Sequence, residues 1–391
     1  MNVRIFIQAF SCVSAMGVAL NAHAEVLRSG QSPGMGLATM WRKKSAPAFV
    51  GAVAGEFPSI RNKEHDTRNN RILQACLTAI ETNIHSTIAT IGRERFAIVA
   101  GTSTSGIAEA EEALLCRPPG EISDDYEYVR QEFGSPAAFL ADLLGTTGPS
   151  FALSTACTSS SNAFISARRL LRHGLADAVL VVGADSLCRT TVEGFIALEA
   201  VATNRCQPMS ANRKGINIGE GASVFLLSRE TGPLELLGVG ESCDAYHLSS
   251  PDPQGRGAEA AMRAALHDAR LAATDIDYVN LHATGTSKND QMESLAMARV
   301  FPAGVTCSGT KPLTGHTLGA AGAIEAALCC LAIAEDVIPP HVWDGHPDPT
   351  LPSLHLATLG QSFPPTAHRV CMSNNFAFGG SNVSLIFGAT R

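Results

Sequence analysis

One cysteine in this chain stands where a protein would place a nucleophile. Cys157 lies in a run of small and hydroxylated residues, 154–163, between two apolar segments. Segment 148–153 is typical of a short strand, and 163–173 has apolar residues at helical spacing and ends before a glycine. This pattern predicts that the sulfur is exposed at a helix N-terminus, where unpaired N–H groups and the helix dipole favour a thiolate. The alternative interpretation is a buried, inert cysteine in a tight turn.

The elements that would position Cys157 occur a second time in the chain. A strand over 305–309 leads to a turn containing His316 and then to an alanine-rich helix over 320–334. In each half, an earlier strand ends in a glycine-containing loop, at 101–106 and at 282–287. Duplication of an α/β unit explains this shared order better than chance does. If so, the Cys157 and His316 turns are equivalent positions, and two helix N-termini can converge on one site.

Composition excludes several classes of protein. The 391 residues are 45% hydrophobic and 17% charged with 35 glycines, which is typical of a large α/β enzyme. The net charge of −7 argues against a nucleic-acid-binding protein. Eleven cysteines with no regular spacing and no C-x-x-C argue against a disulfide framework or a metal site. We therefore expect a protein of the reduced cytoplasm.

The N-terminus allows two interpretations. Residues 1–24 resemble a signal peptide, because an apolar stretch precedes Ala22-His23-Ala24. Polar residues dilute that stretch, however, and a core strand over Val3–Ile7 followed by a turn and a helix fits better. We expect no other stretch to reach the length of a membrane span, and no membrane partner.

Four segments together resemble a known family. They are Cys157, the loop His282-Ala283-Thr284-Gly285-Thr286, Lys311 with His316, and the run Asn375-Phe376-Ala377-Phe378-Gly379-Gly380-Ser381-Asn382. In order and spacing over nearly the whole chain they resemble the β-ketoacyl-acyl-carrier-protein synthases of the thiolase superfamily. The resemblance implies an α/β, thiolase-like fold with a duplicated five-layer αβαβα architecture and two mixed sheets. Residues 1–232 would carry the nucleophile, and residues 233–391 would carry both histidines and a gate loop.

The same residues separate the branches of that superfamily. Thiolases have a second cysteine near the C-terminus, which the glycine-rich loop here lacks. Initiating synthases have asparagine where this chain has His316, and chain-length factors lack the nucleophile. The chain therefore resembles the elongating ketosynthases with a Cys-His-His triad. The alternative that we keep open is a non-catalytic subunit, similar to a chain-length factor, of a ketosynthase heterodimer.

The resemblance implies an acyltransferase that performs a decarboxylative Claisen condensation in fatty acid, polyketide or aryl-polyene chain elongation. An acyl group would be held as a thioester on Cys157, and the enolate from malonyl-acyl carrier protein would attack it. Neutral His282 and His316 would stabilise the enolate oxygen. Lys311 would be a buried supporting residue organised with Glu293. The backbone N–H groups of Cys157 and Phe378 would form a second oxyanion hole.

The resemblance also implies how substrates and partners bind. Thr284 and Thr286 would contact the phosphopantetheine arm, Phe376 would line the site, and Phe378 would gate the acyl pocket. The substrates would be carried on the acyl carrier protein, and neither a metal nor a free cofactor is expected. The partners would be that carrier and either a second copy or a chain-length factor. Because the carrier is acidic, a basic surface would dock it, and the candidates are Arg61, Lys63, Arg68 and Arg71, unless these simply form a solvated helix face.

One stretch departs from the usual family pattern. In 207–217, Met209-Ser210 replaces a Phe-Asp pair and Ile216-Asn217 replaces a Phe-Val pair. Ala377 stands where glycine is usual, which stiffens the gate loop. These changes argue against housekeeping fatty-acid synthesis. The pattern over 210–221 resembles synthases of aryl-polyene pigment pathways, which often pair with a chain-length factor.

Overall fold

The computed structural model of the chain describes residues 3–38, 48–115, 118, 121–123, 126–365 and 369–390. The strands in these ranges are β1 (Phe6–Val13), β2 (Met35–Ala38), β3 (Ala48–Gly51), β4 (Phe96–Gly101), β5 (Ser150–Leu153), β6 (Ala178–Asp185), β7 (Gly221–Ser228), β8 (Leu234–Cys243), β9 (Tyr278–Leu281), β10 (Thr306–Gly309), β11 (His355–Leu356), β12 (Val370–Phe376) and β13 (Ser381–Ala389). The helices are α1 (Leu20–Ser29), α2 (Arg68–Thr78), α3 (Glu81–Ile91), α4 (Ile107–Leu115), α5 (Ser135–Leu144), α6 (Ser159–Arg172), α7 (Arg189–Ala197), α8 (Arg256–Ala269), α9 (Ser287–Val300), α10 (Lys311–Thr314) and α11 (Ala321–Glu335).

The two halves of the chain share one sheet topology. The first half has the strand order β5-β4-β6-β7-β1, and the second has β10-β9-β12-β13-β8, with β11 outside β10. In each half the first three strands are parallel and the next two pair antiparallel. In both halves a long helix follows the turn that carries the reactive residue, α6 after Cys157 and α11 after His316; the short helix α10 precedes His316. The common order and direction of the strands confirm the predicted duplication.

The two mixed sheets join at their edges. β1 and β8 pair over Phe6↔Glu235 and Ile7↔Leu234, so the sheets form one continuous 11-stranded sheet, and β2 and β3 form a separate hairpin. Each sheet would otherwise end in unpaired backbone groups, which the short ladder partly satisfies. Arg4 and Glu235 make a two-pronged ion pair beside it, at 2.9 and 2.6 Å. The predicted domain boundary at 232/233 lies between β7 and β8 and stays a prediction.

Helices and sheets stack in five layers. α6 packs on β4 and β6, and α11 packs on β12, β13 and β7, so these two helices lie between the sheets. α2 and α5 cover the outer face of the first sheet, and α8, with α9 packed against it, covers the second. A sheet covered on both faces explains why β4, β6 and β7 are apolar along their whole length. The α/β, five-layer αβαβα prediction is confirmed.

Two apolar segments that suggested membranes or secretion lie in the core. β1, in the segment that resembles a signal peptide, runs between β7 and β8, and it begins at Phe6 rather than at Val3. The expectation that no other stretch reaches the length of a membrane span is wrong. Leu318–Glu335 is long and apolar enough, but 89% of it is buried inside the protein. A helix enclosed by two sheets needs apolar side chains all round.

Candidate active site

The Cys157 turn connects the end of β5 to the start of α6. Its backbone is fixed by hydrogen bonds from Thr158 N to Thr155 O and from Ser159 N to Ala156 O, at 3.3 and 3.1 Å. Ala156 has a φ of 52°, in the left-handed region that alanine rarely adopts. Strain of this kind persists only where the surroundings impose it, and it is common at functional sites. The turn presents Cys157 to a cavity of about 380 Å³.

The prediction that the Cys157 sulfur is exposed is wrong. Cys157 is only 7% exposed, and burial raises the pKa of its thiol to about 11. The charge of Lys311 and the backbone N–H groups of Phe378 and Cys157 oppose this shift without reversing it. At neutral pH the thiol form of Cys157 therefore predominates. The start of α6 does not by itself activate this cysteine, and the nucleophile needs a base.

His316 is placed to be that base. Its Nε2 lies 2.9 Å from Cys157 Sγ. Its backbone is paired with residues 217–219, at the end of the unusual 207–217 stretch, through His316 N to Asn217 O at 2.7 Å and Gly219 N to His316 O at 2.8 Å. Burial first, and then the charge of Lys311, hold the pKa of His316 well below 6.5, so the ring is neutral. Its Nδ1 has no hydrogen-bond partner among the described residues.

His282 follows β9 and stands nearly perpendicular to His316. The two ring centroids are 5.3 Å apart, with an angle of 86° between the planes. Burial, with smaller contributions from Lys311 and His316, holds its pKa well below 6.5. Its Nδ1 lies 3.3 Å from Lys311 Nζ. Because an ammonium group only donates, we assign Nδ1 as the acceptor, so the ring proton is on Nε2.

The expected partnership of Lys311 with Glu293 is wrong. Both Glu293 oxygens accept backbone N–H groups instead, from His282 and Ala283 at 2.7 Å each, and so fix the His282 loop. Lys311 pairs with Glu325 in the middle of α11, and both side chains are almost fully buried. Glu325 is the one charged residue of the segment 320–334. A lone carboxylate in an apolar helix is a signal by which sequence reasoning could have found it.

A chain of hydrogen bonds holds this ion pair. Asn375 Nδ2, at the end of β12, donates to Glu325 Oε2 at 2.5 Å. Ser161 Oγ, in the first turn of α6, donates to Asn375 Oδ1 at 2.6 Å. The network thus connects the helix that follows Cys157 to the lysine behind His282. Sequence reasoning did not predict it, because its four members lie on four separate elements.

The remaining predicted site residues line the same cavity as the triad. Thr284 and Thr286 do so with their hydroxyls 2.8 Å apart. Phe376 is buried beside His282, with ring centroids 6.1 Å apart. Phe378 is 38% exposed, stacks on Phe195 at 5.6 Å and directs its backbone N–H at the Cys157 sulfur. The structure therefore brings together Cys157, His282, His316, Lys311, Thr284, Thr286, Phe376 and Phe378.

The predicted docking residues divide into two pairs. Arg68 is held in the fold by the buried carboxylate of Glu220, and Arg71 by Asp66 at 2.6 and 2.8 Å. Arg61 and Lys63 are exposed. The structure also places exposed Lys214 and Lys288 at the cavity itself, which the sequence did not predict.

The unusual 207–217 stretch is hydrogen-bonded to residues around the site. Met209 N donates to buried Asp290 Oδ2 at 2.8 Å, and Ser210 Oγ donates to Asp344 Oδ1 at 2.8 Å. Asn217 accepts from Cys206 N at 2.6 Å through its side chain and from His316 N through its carbonyl. Of the residues that depart from the family pattern, Asn217 therefore holds the His316 turn, while Met209 and Ser210 contact Asp290 and Asp344.

A thiolase-like fold with a Cys-His-His cluster in one cavity defines a class of acyl-transferring enzymes. Residues 3–232 match the beta-ketoacyl synthase N-terminal domain family, and residues 234–343 match the C-terminal domain family. The chain belongs to the beta-ketoacyl synthase family. It is a ketosynthase, an acyltransferase whose triad fits a Claisen condensation.

Individual relatives agree with this assignment. Nodulation protein E of Rhizobium meliloti (strain 1021) is 36% identical over 307 residues, which cover 75% of each chain. The 3-oxoacyl-acyl-carrier-protein synthase 2 of a Synechocystis species is 28% identical over 410 residues, 98% of this chain and 97% of that protein. Among solved structures, the ketosynthase ApeO in complex with its chain length factor ApeC, from Xenorhabdus doucetiae, is 44% identical, with a TM-score of 0.94 and coverage of 99% and 98%.

Proposed function

We propose that this chain is the catalytic ketosynthase that condenses malonyl-acyl carrier protein with an acyl group held on Cys157. The observation that carries the proposal is the 2.9 Å contact between Cys157 Sγ and His316 Nε2, beside His282 in one cavity. A chain-length-factor-like subunit would need neither a nucleophile nor this contact.

In the first step, the Cys157 sulfur attacks the acyl thioester while His316 Nε2 takes the thiol proton. The new C–S bond forms, the bond to the phosphopantetheine sulfur breaks, and the proton goes to that leaving sulfur. The tetrahedral oxyanion is stabilised by the backbone N–H groups that point at Cys157 Sγ, those of Phe378 and Cys157. His316 ends this step neutral.

In the second step, malonyl-carrier protein loses carbon dioxide, and negative charge develops on the thioester oxygen. The Nε2–H of His282, fixed by Lys311 on the opposite side of the ring, donates to that oxygen. His316 also donates from Nε2 once its ring proton has moved there from Nδ1, and no partner at Nδ1 within the described structure opposes that shift. The enolate carbon then bonds to the acyl carbon on Cys157, and the C–S bond breaks. The Cys157 thiolate that leaves takes up one proton from solvent, which restores the thiol.

The cavity suits a carrier-bound substrate. Thr284 and Thr286 offer hydroxyls to the amides of a phosphopantetheine arm. Phe378 follows Ala377 and precedes two glycines, so its backbone can rotate to admit the acyl chain. The exposed cations Arg61, Lys63, Lys214 and Lys288 would meet the acidic carrier. The substrates arrive on this carrier, and the chemistry needs no other cofactor.

We further propose that the chain works as a heterodimer with a chain-length factor in an aryl-polyene type pathway. The structural support is the sheet edge at β5, where Phe151 is 37% exposed and Ser154 and Thr155, just before the nucleophile, are also exposed. An unprotected apolar edge strand invites a partner strand. The 44% identity to a ketosynthase solved with its chain length factor supports the same assembly.

The location that we propose is the cytoplasm. All ten cysteines among the described residues are free, and nine of them are buried. Buried thiols without disulfide partners suit a reducing compartment.

Intact-protein mass spectrometry after incubation with octanoyl-acyl carrier protein tests the catalytic assignment. We expect wild type to gain one acyl group and the Cys157→Ala variant to gain none. Release of carbon dioxide from malonyl-carrier protein is measured in parallel. A wild-type protein that neither becomes acylated nor decarboxylates would contradict the proposal and favour the non-catalytic subunit.

A further inference from the structure

The catalytic cluster contains the donor atoms of a zinc site. Cys157, His282 and His316 bring one sulfur and two imidazole nitrogens within 4.8 Å of one another, and all three residues are buried. One thiolate, two imidazoles and an open position facing a cavity match the general pattern of catalytic zinc, which takes three protein ligands and leaves a fourth position open. Tetrahedral zinc needs such atoms roughly 3.4–3.6 Å apart, so shifts on the order of 1 Å would suffice. Metal on the cluster would occupy the sulfur that must be acylated.

The orientation of the His282 proton opposes this use of the cluster. A metal-bound histidine offers a lone pair at one nitrogen and donates its N–H from the other, usually to a carboxylate or carbonyl. In this structure Nδ1 of His282 faces Lys311 Nζ at 3.3 Å. An ammonium group cannot accept a hydrogen bond. The proton is therefore on Nε2, the nitrogen that a metal would need.

Lys311 cannot turn away from His282. Its side chain is fully buried and paired with Glu325. Glu325 is held by Asn375 Nδ2 at 2.5 Å, and Asn375 by Ser161 Oγ at 2.6 Å. Moving the proton of His282 to Nδ1 would place the Nδ1–H against an N–H of Lys311, between two buried side chains. His316 has no such restriction among the described residues, because its Nδ1 lacks a partner.

We propose that Lys311 keeps the Cys157–His282–His316 cluster free of thiophilic divalent cations by holding the His282 proton on Nε2. The same contact that prepares His282 as a hydrogen-bond donor also removes one metal ligand. Lys311 is in this respect a positioning residue that acts through His282. The inference depends only on the geometry of the cluster. It can therefore fail while the proposed condensation stands, and the proposed condensation can fail while the inference stands.

Binding of Co²⁺, monitored by its visible absorption and its sulfur-to-cobalt band, tests this proposal. All proteins carry Cys243→Ser, which removes the exposed thiol among the described residues. The variant Lys311→Met/Glu325→Gln replaces the ion pair by a neutral pair of similar volume. We expect it to bind Co²⁺ on the order of 10- to 100-fold more tightly than wild type, the range over which second-shell partners act. Adding Cys157→Ala should abolish the sulfur band.

A second control separates the orienting role from simple repulsion of cations. Lys288→Met removes one positive charge at the cavity, whereas the double variant leaves the net charge unchanged. Lys288 contacts neither histidine; its Nζ donates to Ser250 Oγ at 2.9 Å. We expect Lys288→Met to bind Co²⁺ as weakly as wild type. A gain equal to that of the double variant would overturn the proposal, and so would wild type binding as tightly as the double variant.

The tautomer itself can be read without any variant that risks misfolding. Nitrogen-15 NMR of wild-type protein labelled in histidine distinguishes Nε2–H from Nδ1–H. We expect His282 as Nε2–H. A proton on Nδ1 of His282 would overturn the proposal whatever the metal titrations show.

Discussion

The turn that carries Cys157 and the turn that carries His316 occupy the same place in two halves of identical strand order, yet their surroundings differ. β5 is a partly exposed edge, and α6, although it lies between the sheets, leaves Arg169 exposed near its C-terminal end. α11 is buried over its whole run from Ala321 to Ile333. The first copy therefore supplies the reactive atom and access for partners, while the second supplies fixed charges and donors. Electrostatic interactions are strongest where water is excluded, which explains why Lys311 and Glu325 belong to the buried copy.

The two histidines repeat this contrast on a smaller scale. His282 has its tautomer fixed by a buried cation, which suits a group that only donates. His316 has an unrestrained Nδ1 among the described residues, which suits a group that accepts a proton in one step and donates in the next. The two histidines thus acquire different tasks because Nδ1 faces Lys311 in His282 and has no partner among the described residues in His316.

The largest expected effect is the pH dependence of Cys157 alkylation. Burial raises the pKa of this thiol to about 11, so the reactive thiolate should increase tenfold for each pH unit well below that value. We expect the rate of iodoacetamide labelling to rise about 1,000-fold between pH 6.5 and 9.5. Peptide mass spectrometry of the Cys157 peptide measures this rate. A labelling rate that no longer rises near neutral pH would show a preformed thiolate–imidazolium pair of Cys157 and His316. Charged groups would then belong to both turns, and the contrast between them would be wrong.

Substitution of the histidines one at a time should separate their tasks. His282→Ala should slow decarboxylation of malonyl-carrier protein about 100- to 1,000-fold, the usual cost of one oxyanion donor, with Cys157 acylation little changed. His316→Ala should slow both reactions, because it removes the base 2.9 Å from the sulfur as well as a donor. Single-turnover acylation and carbon dioxide release measure the two steps. If both variants lost the same step by the same factor, the division of tasks would be wrong.

Local features of the chain were predictable from sequence, and long-range ones were not. Cys157, His282 and His316 were found because each lies in a short motif beside its own strand. The burial of the sulfur was missed, because it depends on the gate loop around Phe378, 221 positions away in sequence. Glu325 was missed as the partner of Lys311, and Glu220 as the partner of Arg68, for the same reason. A helix N-terminus or a basic residue can be recognised locally, whereas its solvent exposure and its counter-ion are properties of the assembled layers.

The smallest expected effect concerns the contact between α6 and α11, the equivalent helices of the two duplicated halves. α6 and α11 cross at small residues: Ser160 Oγ accepts from Ala323 N at 2.9 Å, and a Cβ on Gly322 would overlap Ser161 Oγ and press on its backbone nitrogen at 2.8 Å. Gly322→Ala should therefore push the helices apart and destabilise the protein by about 1–3 kcal/mol, as overpacking does.

Gly194→Ala in α7 is the matched control for that change. A Cβ there meets nothing within 4 Å, and the backbone needs no left-handed φ. Alanine in an open helical position stabilises by about 0.4–1 kcal/mol, so urea unfolding should move in opposite directions for the two variants. Cys157 and His316 lie shortly before the two crossing helices, so Gly322→Ala should also lower the acylation rate of the remaining folded protein, and Gly194→Ala should not. Equal unfolding midpoints for the two variants would mean that α6 and α11 can move apart at no cost. The short contact between Cys157 Sγ and His316 Nε2 would then be maintained by the loops and not by the packing of these helices.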